Sequence, residues 1–331
     1  ENKVVVDVTY VGAIGPGFEK FNLNHPSVRN VVFSLSKPFG AYYDRIGGVF
    51  CRKEDMGLFG NKWFKLKGHL RMAKASAAPG LISVGGAHSN HLHALAAAGQ
   101  RFGFATVGLL RGEPQDTATV ADLQAMGMQL HWLGYSEYRQ RHQASFWLPW
   151  QQRYPGYHPV PEGGGGLLGA EGCAAIVEMI DSQLADLGWA DYQQLWLAVG
   201  SGTTLVGLQL ALPAGRELVG ALAVPERYGV SEQIETLLQA ARFERRQYRL
   251  LEACGAGFGR FDQTLLDFMQ DCEVQSGMYF EPVYSAKLLL ALQQQVAGGY
   301  LAAGSRVVLL HGGGLQGYRP SWPDEFSSVR S

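Results

Sequence analysis

Charge is scarce in this chain of 331 residues: Asp, Glu, Lys and Arg make up 17%, and the formal net charge is -1. Without a basic excess there is no field to gather the phosphates of a nucleic acid, and no run of like charges marks an acidic or basic tail. Nucleic acid is therefore not expected as a partner. Long hydrophobic runs are also missing. The longest apolar stretches, such as Leu288 to Leu292, fall far short of the roughly 20 residues that cross a bilayer, so no membrane span is expected. The stretch from Glu1 to Asn30 has no basic patch leading into an apolar core; it does not read as a secretory signal, and the cytoplasm is the default location. Cysteine is sparse. Cys51, Cys173, Cys254 and Cys272 are widely scattered and form no CxxC pair, which favours buried free thiols in a reduced compartment over disulfides, a redox pair or a metal site.

What the chain does have is apolar mass and glycine. Hydrophobic residues make up 47%, ample for a large core in one or two closely joined domains. The 43 glycines fall mostly in short clusters, at Gly85-Gly86, Gly163 to Gly166, Gly200 to Gly207 and Gly312 to Gly314. Such clusters let a backbone turn tightly or approach a ligand. They follow strand-like runs: Leu81 to Val84, Ala105 to Leu110, Gln129 to Leu133, Gln194 to Val199, Leu218 to Val224 and Arg306 to Leu310 are expected strands, with helical patterns between most of them. That alternation implies parallel α/β sheets. Ligands in such sheets sit beyond the carboxyl ends of the strands, where these loops fall. The first 30 residues fit neither α/β unit well, and an edge strand, an oligomer contact and a disordered arm all stay open for them.

Three segments carry chemistry. In VGSGTTLVGL, from Val199 to Leu208, glycines, the hydroxyls of Ser201, Thr203 and Thr204, and a helix start suit a dianionic phosphate. Leu205 stands where the third glycine of GxGxxG would be, and there is no GxxxxGK[ST], so nucleotide binding is not the reading. Alone, such a turn is as often plain structure. Near the run Arg52-Lys53-Glu54-Asp55, Gly60-Asn61-Lys62 presents a lysine at a turn, with Lys65 and Lys67 following. Most lysines at helix starts are simply solvated, but one desolvated in an apolar site becomes a nucleophile able to condense with an aldehyde. In SVGGAHSNHLHALAAAG, Ser89 or Asn90 is a natural N-cap for the Ala-rich helix behind it. His88, His91 and His93 have no carboxylate nearby in sequence to complete a zinc site. Capping plus ligand contact is the better account of this segment, with Asn90 facing a cofactor oxygen and Ser89 a substrate carboxylate.

Taken together, the ordered motifs KEDMGLFGNKWFKLK, GGAHSNHLHALAAAG, PEGGGGLLGAEG, VGSGTTLVG, EPVYSAK and HGGGLQG resemble the 1-aminocyclopropane-1-carboxylate (ACC) deaminase and D-cysteine desulfhydrase family. These are pyridoxal phosphate (PLP) enzymes of fold type II, the tryptophan synthase β-like fold. The resemblance runs from about Phe33 to Gly317. It implies two α/β domains with parallel sheets and a cofactor cleft between them. The larger would comprise residues 33–79 and 162–320 and the smaller 80–161, with residues 1–32 an unassigned arm. It implies that Lys62 carries the cofactor, that Asn90 contacts the cofactor's ring oxygen, and that Ser89 sits beside the substrate. Ser201, Gly202, Thr203 and Thr204 would hold the phosphate, and Tyr284 would face the substrate as acid, base or nucleophile. Ser285 would meet the pyridine nitrogen, where a carboxylate keeps the ring protonated in ACC deaminases and a neutral hydroxyl favours a weaker electron sink. The implied activity is α,β-elimination on a small D-amino acid such as D-cysteine. ACC deamination is the alternative, and a non-catalytic PLP-binding protein is the reading of another class. No metal is implied; a homodimer is.

Departures from the family pattern bear on the substrate. Phe64 stands where an Arg often follows GNK, and Phe258 of GAGFGRF takes roughly the place of an active-site tyrosine. His91 replaces the glutamine that ACC deaminases carry after Ser-Asn, and HGGG at His311 to Gly314 lacks a usual threonine. All four weigh against ring opening of ACC.

Overall fold

The computed structural model describes residues 61–184, 189–244, 248–276, 280–301 and 305–315, together with the backbone of two strands nearer the N-terminus. The ten strands are β1 Asn2–Val8, β2 Val28–Val32, β3 Gly80–Gly85, β4 Ala105–Arg111, β5 Gln129–Leu133, β6 His158–Val160, β7 Gln194–Val199, β8 Glu217–Leu222, β9 Tyr248–Glu252 and β10 Arg306–His311. They form a six-stranded sheet ordered β2-β1-β10-β7-β8-β9 and a four-stranded sheet ordered β5-β4-β3-β6, and the strand pairs in both are parallel. The expected fold class is what is found. Apart from a single helical turn at Tyr135–Tyr138, the α-helices are α1 Lys62–Ala75, α2 Asn90–Phe102, α3 Ala118–Ala125, α4 Ala144–Arg153, α5 Gly166–Asp181, α6 Thr203–Ala211, α7 Val230–Ala240, α8 Gln263–Ser276 and α9 Ser285–Ala297.

Parallel sheets are covered on both faces, which is why their strands read as continuous apolar runs. QLWLAV of β7 buries Leu195 and Leu197 towards one cluster, with Leu205, Leu208 and Ile234, and Trp196 towards the other, with Phe280, Leu288 and Leu292. All six expected strands are present. Those not foreseen are β6, only three residues long, and β9; of the alternatives open for the first residues, the edge strand is what is found, as two strands that join the larger sheet, β1 beside β10 and β2 beside β1. No helix among the described residues is long and apolar enough to cross a membrane. Cys173 and Cys272 are buried free thiols and Cys254 is half-buried. Cys51 and the run Arg52 to Asp55 lie outside the described residues.

Helix α5 locks α1 against α6. A Cβ on its Gly172 would lie 2.0 Å from the Phe64 carbonyl oxygen, and a Cβ on Gly207 of α6 would lie 2.1 Å from that of Ala170. Backbones meet directly at both crossings, so the helix that starts with Lys62 and the helix that starts with Thr203 share one rigid support.

Candidate active site

Lys62 opens α1, and its amine accepts no solvent-like environment. The residue is half-buried as a whole, but desolvation pulls its pKa from 10.5 to about 7; the like charge of Lys65 pulls the same way, against Cys173 and the Glu281 carboxylate. Its Nζ donates to Asn61 Oδ1 at 3.1 Å. Asn61 is held in turn: its backbone N–H donates to the Gly312 carbonyl at 3.1 Å, and its Nδ2 lies 3.5 Å from Thr204 Oγ1. Asn61 thus bridges the loop after β10 and the start of α6, the helix that follows β7, at the carboxyl ends of neighbouring strands.

The β7 loop is built around Gly202, the N-cap of α6, whose φ of 73° is left-handed. A Cβ there would lie 2.4 Å from Ile234 Cγ1. No side chain caps α6, so by helix geometry the first N–H groups from Thr203 onward lack acceptors within the helix. Ser201 Oγ and Thr203 Oγ1 stand 3.1 Å apart beside them. Thr203 and Thr204 are buried, Ser201 half-buried. The loop after β10 makes a second close approach: Gly314, φ 87°, would set a Cβ 2.5 Å from Asn90 Nδ2. Only glycine lets that loop lie on the Asn90 amide.

Ser89 is the N-cap of α2 and accepts from the Leu92 N–H at 3.1 Å. The two histidines of that helix diverge. His93 Nε2 pairs with Asp122 at 3.2 Å. Ser83 donates to the Val160 carbonyl at 2.7 Å, so His91 Nε2–H donates to Ser83 Oγ at 2.8 Å, and His91 Nδ1 is left as a buried acceptor with no partner. Burial and the charges of Lys62, Lys65 and His69 hold His91 neutral, well below the usual histidine pKa.

Tyr284 is pinned by a residue that sequence reasoning passed over. Glu281, 2% exposed, accepts from the backbone N–H groups of Tyr284 at 2.9 Å and Ser285 at 2.6 Å with one oxygen, and from Val283 at 2.9 Å with the other. Burial raises its pKa against those bonds. The Tyr284 phenol lies over Gly200, where a Cβ would be 3.2 Å from its ring, and the Phe258 ring meets it edge-on at 6.1 Å. Burial first, then the Glu281 and Glu162 carboxylates, push the phenol pKa up, so it is a proton holder and not a base at neutral pH. Ser285 Oγ accepts from the Glu281 N–H at 2.7 Å and donates to the Glu281 carbonyl at 3.0 Å.

Lys65, named in the sequence but given no role of its own there, also belongs to the site. It is 4% exposed, one turn after Lys62, with its pKa lowered chiefly by desolvation. Phe64, 2% exposed, is core, so the cation beside the lysine turn comes from the next position. The signal was present as K-x-x-K at the start of a helix, where residues three apart share a face. Replacing Lys65 with Met should move the midpoint for condensation of Lys62 with an aldehyde upward from about pH 7, because a like charge is removed. Borohydride trapping of the adduct across a pH series measures it; an unmoved midpoint would show that burial alone sets the value.

Two parallel sheets, a lysine amine near neutrality, a glycine-bent phosphate-type cradle and a second buried lysine facing no carboxylate partner among the described residues define a class: an α/β protein built to hold a phosphorylated aldehyde. The donor set of Ser201, Thr203, Thr204 and the first N–H groups of the helix suits a dianion, whereas the buried acceptor His91 Nδ1 suits a donor group of the bound molecule. Residues 38–313 match the family described as "Pyridoxal-phosphate dependent enzyme", and the chain belongs to that family. Its cofactor is pyridoxal phosphate. Among similar proteins, a putative 1-aminocyclopropane-1-carboxylate deaminase of Pyrococcus horikoshii is 23% identical over 86% of this chain and 88% of its own length. A bifunctional D-cysteine desulfhydrase/1-aminocyclopropane-1-carboxylate deaminase, mitochondrial, of Arabidopsis thaliana is 26% identical over 81% of this chain and 73% of its own. The solved structure of an ACC deaminase homologue superposes with a TM-score of 0.68 at 22% identity, covering 79% of this chain and 82% of that one.

Proposed function

We propose that this enzyme is a lyase that eliminates the β-substituent of a small D-amino acid such as D-cysteine, giving pyruvate, ammonia and sulfide. The observation that carries it is the neutral hydroxyl of Ser285, tied to the Glu281 backbone, at the position read as facing the cofactor's ring nitrogen; the phenylalanine at 258 beside Tyr284 points the same way. The names of the two relatives cover both this activity and ACC deamination.

In this reading Lys62 holds the cofactor. Ser201, Gly202, Thr203 and Thr204 take its phosphate, with Lys65 as buried countercharge; Asn90, held by Gly314, takes the ring oxygen. When bound, pyridoxal phosphate supplies a conjugated ring that delocalises the electrons left at Cα when a proton is removed. The Lys62 amine, freed once the substrate's amino group has displaced it and neutral above about pH 7, takes that proton, and the Cβ–S bond breaks with its electron pair going to sulfur. In this reading the protonated Tyr284 phenol donates a hydrogen bond to the departing thiolate. The three-carbon enamine then hydrolyses to pyruvate and ammonia. Ser89 and the loop before it orient the substrate carboxylate. The same reading takes residues 80–161 as the smaller domain, closing over the site to exclude water, and the chain as a cytoplasmic homodimer.

The test is a product assay on the loaded enzyme with D-cysteine and with ACC. Pyruvate and sulfide from D-cysteine, with no 2-oxobutanoate from ACC, is the expected result. 2-Oxobutanoate from ACC as the main product would overturn the assignment in favour of the deaminase. No spectral change with any amino acid, on a chain that holds its cofactor, would favour a binding protein.

A further inference from the structure

Beside the substrate loop lies a cation that this reaction does not use. β3 and β4 run parallel with Gly85 opposite Leu110, so the next residues, Gly86 and Arg111, stand side by side at the carboxyl edge of the small sheet. Among the described residues, a Cβ added to Gly86 would meet only the Arg111 guanidinium, at 4.0 Å. Arg111 is exposed and ends β4. Its guanidinium carbon lies 5.9 Å from the centre of the Tyr138 ring. The nearby carboxylate is already committed: Glu162 accepts from Arg141 Nε at 2.6 Å and from the Tyr138 phenol at 2.5 Å. Among the described residues Arg111 makes no ion pair. Glu162 is also close enough to act electrostatically on the Tyr284 phenol, so Tyr138 and Glu162 connect the Arg111 edge to the reacting side of the cleft.

We propose that Arg111 is a specificity-determining residue that selects amino acids carrying a second anionic group on the side chain, a carboxylate, sulfonate or phosphate, over those with a neutral one. It rests on the reading above, in which Ser89 and its loop hold the α-carboxylate, and it narrows that reading: D-cysteine, with a neutral side chain, is then a poorer substrate of the same elimination than a β-substituted amino acid whose side chain carries an anion. An exposed guanidinium fork, unpaired with any carboxylate among the described residues and with its neighbouring carboxylate neutralised by another arginine, suits a planar or tetrahedral anion bound through paired N–H donors. A substrate with a neutral side chain leaves that fork to solvent.

Alanine and aspartate differ by one carboxylate, and the test is their relative affinity, in both enantiomers, by calorimetry and by the change in the cofactor's visible band. In the wild type aspartate of the preferred hand should bind roughly tenfold tighter than alanine, the scale of one charge-assisted hydrogen-bonded contact at a solvent-accessible site. In Arg111→Gln that ratio should fall to about one with alanine affinity nearly unchanged, and Arg111→Lys should keep part of it. Equal weakening of both ligands in Arg111→Gln would overturn the proposal by placing Arg111 on the α-carboxylate they share; so would a wild type that does not discriminate. Failure to load the cofactor on Lys62 counts against the proposed function instead, and calorimetry on the unloaded Lys62→Ala chain still reads the aspartate-to-alanine ratio that decides the role of Arg111.

Discussion

Replacing Lys62 with alanine should leave a folded protein with no borohydride-fixed pyridoxyl group at position 62 and turnover no greater than that of free pyridoxal phosphate. The expectation follows from what burial does to this amine. An ordinary lysine is almost wholly protonated at pH 8 and cannot attack an aldehyde; with its pKa near 7, roughly nine-tenths of the Lys62 population is neutral there. Burial lowers the pKa of Lys65 as well, but it stands one turn further along α1, so a pyridoxyl group found there in place of position 62 is the result that the peptide map must exclude. The fold should survive, since Lys62 is the first residue of α1, alanine favours helix, and the variant removes a desolvated amine. Peptide mapping after reduction reads the site of attachment, a product assay the turnover, and a thermal melt the fold. Retained wild-type turnover in a properly folded Lys62→Ala protein would sink the assignment.

The parts of the molecule that sequence reading reached are those whose chemistry is local. Six strands were legible because a strand covered on both faces is a continuous apolar run, as in LISV of β3 or VVLL of β10. β6 was not, because HPV is too short to show any pattern and takes its place by pairing with Leu81 to Ser83. The site residues singled out in sequence do come to neighbouring loops, linked through Asn61, Thr204, Gly312 and Gly314. Their roles toward the cofactor were carried by resemblance, since nothing in GNK alone distinguishes a buried amine from a solvated one. What remained invisible was set by tertiary burial. Glu281 reads in sequence as one more acidic residue ahead of a proline, and only its 2% exposure and three backbone N–H donors make it the brace of Tyr284. Arg111 reads as a surface cation at the end of a strand, and its interest lies in standing beside Gly86, a neighbour 25 residues away in sequence that the strand register supplies.

Gly202→Ala should cost both stability and cofactor retention, and by more than a typical point change. Two penalties fall on one methyl group. The left-handed φ of 73° is unfavourable for alanine by roughly 1–2 kcal/mol. The Cβ would also lie 2.4 Å from Ile234 Cγ1, and forcing a methyl into a packed core typically costs about 1–3 kcal/mol. The loop escapes both only by moving, and movement takes Ser201 and the first N–H groups of α6 out of register with the phosphate they are read to hold. Urea denaturation of the unloaded protein should therefore show a loss of about 2–5 kcal/mol, and pyridoxal phosphate should wash out of the variant on dialysis while the wild type keeps it. A double-mutant cycle separates the causes. Ile234→Ala alone opens a cavity and destabilises, but combined with Gly202→Ala it removes the colliding atom, so the pair should cost less than the sum of the singles. Strict additivity would mean that the collision is relieved some other way and that backbone strain carries the whole effect. Wild-type stability and retention in Gly202→Ala would show that the left-handed turn is not what shapes the cradle.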